Sequence, residues 1–352
     1  MERPSRRQLL YGGGAAGGVA AAGAFGWLDF LPFLGPEPAD QPEIGPVPAD
    51  ANLLIQADGE ALRNDEGLRS VVSAGIDART GDGQDPSDVA GLFAATAEGW
   101  GLDPSAITRA TIFARIERAT LGESMVGAVV EADWDPDGIA AAIDATVYAT
   151  TDREIAGVTV HGVDGTGTEI AALGDGRFAL GVTGAVEGVL AITEAEVDRL
   201  SGDLLSALGQ APESQVRFAA AMSPLTDGLA TLLPFDDELI RDQLLSDLEY
   251  LHGTVYADGD RRGIDVSVRA GDDRAAEDFA LQVKATRSIF AQQAPETAAL
   301  PDAVNSITVE QDGDRVDVSF SGSVGRLTEL APPVVEWLLG TGGVVVPTEA
   351  ES

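Results

Sequence analysis

Cysteine is absent from the 352-residue chain. That absence removes disulfides, thiolate metal sites, cysteine nucleophiles and a lipid-modified N-terminal cysteine, so packing alone must hold the fold. Lysine occurs once, as Lys284, and histidine twice, as His161 and His252. Lys284 lies in a helical stretch between apolar positions and reads as a surface residue rather than a Schiff-base former. Neither histidine belongs to a helix-spaced pair such as H-E-x-x-H; each sits beside glycine in a strand-like segment and reads as structural or exposed. There is no G-x-S-x-G elbow and no S-x-x-K, so no serine nucleophile is announced. Aromatic residues make up only 5% of the chain, against 44% hydrophobic residues overall, which predicts a core of Ala, Val, Leu and Ile.

Basic charge is equally scarce. The chain carries 58 acidic against 22 basic residues, for a formal net charge of -36. At low ionic strength such a surface repels itself strongly, whereas at molar salt the Debye length shrinks to about 3 Å and the penalty largely vanishes. The composition therefore predicts a salt-adapted protein. It also argues against a nucleic-acid partner, because the arginines form no basic stripe to meet phosphate.

What is present is concentrated at the N-terminus. Arg6 and Arg7, in Ser5-Arg6-Arg7-Gln8-Leu9-Leu10, precede a Gly/Ala-rich apolar segment from Tyr11 to Leu28. A polar head, two consecutive arginines and a weakly hydrophobic core make the pattern of a twin-arginine export signal, which carries proteins across a membrane already folded. Seven glycines between Gly12 and Gly26 dilute the segment below a Leu/Ile/Val-rich span. Small residues around Ala20-Ala21-Ala22 and Ala22-Gly23-Ala24 offer cleavage points; left uncut, the same segment is an anchor. The expected partners are thus the export machinery, and the membrane through residues 1–31. Residues 32–50, with a proline every few positions, read as an extended spacer.

Apolar periodicity divides the remainder into two α+β units, residues 51–200 and 201–346, ahead of an acidic tail at 347–352. The first unit reads as a strand at 53–57, helices at 60–76 and 86–100, a hairpin of 110–117 with 125–133, a helix at 136–148, strands at 158–163, 169–173 and 178–182, and a helix at 185–200. The second reads as a strand at 216–222, helices at 225–233 and 237–248, and a hairpin of 251–257 with 263–269. A helix at 273–293, paired strands at 305–310 and 315–321, and a helix at 325–339 complete it. The turn dipeptides Asp164-Gly165, Asp175-Gly176 and Asp312-Gly313 and the turn Asp258-Gly259-Asp260 separate successive strands. Both units share the order strand, two helices, hairpin, helix, strands, helix, an internal repeat in element order. The expected fold class is α+β, with antiparallel or mixed sheets and helices on one face.

The best local motif for a site is Asp133-Trp134-Asp135-Pro136-Asp137-Gly138 with Asp144 at the twelfth place. Its oxygen ligands at alternate positions, followed by glycine, match a calcium loop. A strand rather than a helix enters it, however, and Ala140 stands where a branched aliphatic residue would pin the loop. The competing reading makes Asp135 a helix cap with Pro136 in the first turn. The clusters Asp236-Asp237-Glu238 and Asp272-Asp273 likewise precede expected helices and suit their dipoles. At the C-terminus, Trp337 with Val344, Val345 and Val346 would form an apolar contact patch if uncovered.

Taken together, Arg6-Arg7-Gln8-Leu9-Leu10, the Gly/Ala segment, the proline-rich spacer, the single lysine and the acidic excess resemble twin-arginine-exported haloarchaeal surface proteins of unknown function. The resemblance implies an extracytoplasmic location and transfers no catalytic residues. The expected role is non-enzymatic: a secreted or membrane-tethered protein acting by binding or assembly, with a cell-surface protein as partner. No cofactor is expected beyond calcium at the Asp133 loop. The rival is an exported hydrolase, or a calcium-dependent binding protein, with a carboxylate-rich site gathered from distant positions.

Overall fold

The computed structural model describes residues 42–71, 100–116, 125–146, 149–163, 167–182, 184–194, 197–223, 245–293 and 300–330. Short segments rich in Val, Ile and Ala form twelve strands. These are β1 (Leu53–Asp58), β2 (Ile107–Arg115), β3 (Met125–Ala132), β4 (Thr150–Ile155), β5 (Val158–Val163) and β6 (Thr168–Gly174), then β7 (Arg177–Val182), β8 (Val216–Ala221), β9 (Leu248–Asp258), β10 (Arg261–Ala270), β11 (Thr308–Asp312) and β12 (Arg315–Ser323). Among the described residues, the helices that accompany them include α1 (Gly59–Asn64), α2 (Ile139–Asp144), α3 (Ala185–Thr193), α4 (Asp203–Gln210), α5 (Asp273–Gln293) and α6 (Leu300–Asn305).

All twelve strands join one sheet in the order β11-β12-β10-β9-β8-β1-β2-β3-β7-β6-β5-β4, and every pairing is antiparallel. This corrects the α+β expectation of two similar units with helices on one face. The strand that opens each expected unit, β1 or β8, pairs with the other at the middle of the sheet, Leu54 opposite Ala219. Outward from that pair, the hairpins β2-β3 and β9-β10 lie on either side, and a later strand, β7 or β12, returns to pair with the third.

Helices lie on both faces. Consecutive strand residues point to opposite sides of a sheet, and Leu53 and Leu54 show where each side leads. Leu53 clusters with Ala114, Phe218, Val266 and Val318 beneath Ala276 and Ala280 of α5. Leu54 clusters with Phe113, Val129, Ala179 and Ala219 beneath Val186, Val189 and Leu190 of α3 and Leu205 and Leu208 of α4. Further along the α5 side, Trp134, Phe178 and Ile170 pack with Ile139 and Ile143 of α2. Two glycines let α3 approach the sheet. Gly127 and Gly181 are register partners, and a Cβ on Gly127 would lie 2.5 Å from the Phe113 ring and 2.9 Å from Ala185. Gly181, at φ +155°, has Val126 O 2.6 Å from where a Cβ would stand.

The side that carries α3 and α4 changes character beyond β8. One cross-strand row there runs His252, Ser267, Asp317 and Glu310; the next runs Thr254, Asp265, Ser319 and Thr308. His252, Thr254, Ser267 and Asp317 are all buried despite being polar. The opposite side of the same strands is an ordinary apolar core under α5. The two ends of the sheet, β4 and β11, expose mostly charged and hydroxyl side chains, an arrangement that discourages strand addition.

Candidate functional site

Helix α4 places one stripe of its surface over this polar region. Its apolar positions Leu204, Leu205 and Leu208 turn into the core, so Asp203, Ser206 and Gln210 line the other flank. Facing them are Tyr250 and His252 of β9, Arg269 of β10, and Asp312, Asp314 and Arg315 at the β11–β12 turn. Between these walls lies a cleft of about 580 Å³, a volume that suits a small molecule.

The cations of the cleft are already neutralised. Arg269 Nε lies 3.1 Å from Asp314 and 3.6 Å from Glu249, while Arg315 reaches Asp317 at 2.6 Å. Asp317 also accepts a hydrogen bond from Ser267 Oγ. Tyr250 OH lies 3.4 Å from Asp203, and burial followed by that carboxylate pushes the phenol pKa up. No ion pair engages Asp312 among the described residues. The cleft thus offers four carboxylates, Asp203, Glu249, Asp312 and Asp314, against two guanidiniums.

At its floor stands His252, 8% exposed, with its pKa lowered to about 4 by burial and then by the Arg315 charge. The imidazole is therefore neutral near pH 7 and presents one donor and one acceptor. Among the described residues neither ring nitrogen makes a hydrogen bond. On the next row of the polar face, burial and the neighbouring Asp317 raise the half-buried Asp265 to about 7. Asp317 is itself raised by burial, against the opposing pull of Ser267 and Arg315.

Serine, histidine and aspartate share one row, but in the wrong connection for nucleophilic catalysis. Ser267 donates to Asp317, whereas a nucleophile would donate to the imidazole, and among the described residues no carboxylate orients His252.

The residues expected from sequence fall elsewhere. Asp135 accepts from the backbone of Asp137 at 3.1 Å, capping the 3-10 turn Pro136–Gly138, and Asp137 lies exposed in that turn. Asp144 binds the Thr150 backbone at 2.9 Å, tying α2 to β4, and Asp133 is exposed at the end of β3. Among the described residues no group of three or more His, Asp or Glu is arranged to hold a metal ion. His161 meets Asp152 at 2.7 Å across the β4–β5 pair, far along the sheet from His252. Lys284 is exposed on α5, and Asp272 caps that helix by accepting from Ala275 N at 2.8 Å. Arg6, Arg7, the 236–238 cluster and Trp337 lie outside the described residues. Tyr250, Arg269, Arg315 and Asp203 carried no sequence signal, because only strand register and the docking of α4 bring them together.

No protein-family model matches the chain, and no curated protein matches it. Similar chains occur among solved structures of the protein TP0453. Crystal form III aligns at 11% identity with a TM-score of 0.49, covering 82% of this chain and 98% of that one. Crystal form I aligns at 12% identity with a TM-score of 0.44, covering 84% and 99%. At that distance no function transfers.

Proposed function

We propose that this chain is an exported, salt-adapted extracytoplasmic protein, tethered by its N-terminal segment or released by cleavage, that works by binding a small polar solute. The observation that carries the binding half is the buried, neutral and unpartnered imidazole of His252 at the floor of the α4 cleft. Its donor and acceptor pair with no described side chain or backbone group and line the cleft, so a ligand that meets both finds a fixed, uncharged pair of hydrogen-bonding groups there. The charged sheet ends weigh against assembly by strand addition. The Ser267–Asp317 hydrogen bond weighs against a hydrolase. The address rests on Arg6, Arg7 and the glycine-diluted segment behind them.

Both halves are testable. Arg6→Lys with Arg7→Lys should trap the protein in the cytoplasmic fraction; unchanged export would remove the twin-arginine address. For binding, a thermal-shift panel of sugars, amino acids, polyamines and nucleosides at molar KCl should contain at least one solute that raises the melting temperature of the wild type but not of His252→Phe. A panel with no such solute would count against the cleft.

A further inference from the structure

Given that reading of the cleft, we infer that its ligand is a neutral polyhydroxylated molecule of saccharide type rather than an anion or an organic cation. An anion meets four carboxylates, and the two guanidiniums that would attract it are held by Asp314, Glu249 and Asp317. An organic cation is attracted by Asp203 and Asp312, but this attraction is the part of the site that salt screens. In a chain of net charge -36 it is also available over much of the surface, so it would not single out this cleft. What the cleft has in particular is donors and acceptors side by side. His252 supplies one of each, the Gln210 amide supplies both kinds, Tyr250 supplies a hydroxyl, and Asp203 and Asp312 supply acceptors.

A hydroxyl group both donates and accepts, so a ring of vicinal hydroxyls satisfies such an array without bringing a charge. The Tyr250 ring adds an apolar surface against which the C–H face of a sugar ring can rest. The volume of about 580 Å³ accommodates one or two such rings. The inference goes beyond the presence of a solute to its charge and hydrogen-bonding class.

The experiment is calorimetric titration of the full chain at molar KCl with glucose, galactose, mannose and trehalose. Glucosamine and glucuronate, a cationic and an anionic derivative of glucose, are run alongside, with arginine and spermidine as non-sugar cations. At least one neutral sugar should bind saturably. Its glucuronate counterpart should bind more weakly, and an added amine should gain little at this salt. His252→Phe should weaken the sugar about five- to tenfold, the loss expected for one or two hydrogen bonds. His252→Gln, which restores a donor and an acceptor, should recover part of that loss, and circular dichroism and melting temperature check that both variants fold. Binding of arginine or spermidine alone, weakened by His252→Phe, would overturn the saccharide assignment and leave the cleft reading standing. Binding of none of these probes would overturn the assignment, and the thermal-shift panel would then decide the cleft reading separately. Sugar binding indifferent to His252→Phe would place the site elsewhere and overturn both.

Discussion

His252 and Asp265 sit on one polar sheet face, each held away from its charged form by burial, and their effects on stability run in opposite directions. Asp265 releases its proton near 3.8 when unfolded but near 7 in the fold, so between those values the native chain holds the extra proton and stability falls as pH rises. His252 holds its proton up to 6.5 when unfolded but only to about 4 in the fold, so stability rises with pH across that window. Between about pH 4 and 6.5 the two slopes oppose one another. Asp265→Asn removes the falling slope. Denaturant midpoints at pH 4.5, 5.5 and 6.5 in constant salt should then climb with pH relative to wild type, with a ceiling of ~1.4 kcal/mol per pH unit. His252→Phe should tilt the profile the other way. Parallel profiles for both variants and wild type would show that neither group is perturbed as described.

Between elements, one buried polar tie joins distant parts of the chain. Asp65 follows α1 and accepts from Leu68 N at 2.9 Å, from Gln215 Nε2 at 2.7 Å and from the Arg262 guanidinium of β10. Burial pushes the carboxyl pKa up, but the hydrogen bonds from Arg262, Gln215 and Leu68 outweigh it and the net shift is downward. Arg262 is itself 12% exposed. Asp65→Ala would leave the Arg262 charge with the Gly259 and Arg261 carbonyls but no carboxylate and should cost about 3 kcal/mol by urea denaturation, whereas Asp65→Ala with Arg262→Met should recover much of that loss. A double variant no better than the single would show that the pair is not the source of the cost.

The same residue explains a misreading of the sequence. The apolar spacing over 60–76 predicted one helix, but Asp65 ends α1 and turns its side chain forward to cap the next turn. The hairpins at Asp175-Gly176, Asp258-Gly259-Asp260 and Asp312-Gly313 were legible because each glycine takes a positive φ. β4 was not, because its turn is Ala156-Gly157, and alanine at φ 53° is not a turn signal. Helix α4 was also missed; Gly202 precedes it with no side-chain cap, and at eight residues it is too short for the stripe of Leu204, Leu205 and Leu208 to stand out as a helix. The cleft depends on that helix, so it was hidden with it. His252 was visible as a residue, but its neighbours across β10 and β12 emerge only once register is fixed.

At the scale of the molecule, the sequence divided the chain where the structure joins it. Element order suggested two units, and period-2 segments do not say whether two groups of strands share an edge; the β1–β8 pairing merges them. The full chain carries a formal net charge of -36. On the salt-adapted reading, the melting temperature should fall steeply on transfer from molar KCl to dilute buffer, with most of the loss below about 0.1 M, where the Debye length exceeds 10 Å. A melting temperature insensitive to salt would contradict it.

The central claim is that the buried, unpartnered His252 imidazole marks a ligand site. Because the chain has only two histidines, their imidazole C–H resonances can be followed individually, with His161 as an internal reference far along the sheet. Titration at molar KCl with the solutes of the thermal-shift panel is predicted to move the His252 resonance saturably with at least one solute while leaving His161 in place. If every solute leaves His252 unmoved, or moves both histidines together without saturation, the cleft does not bind ligand and the account is wrong.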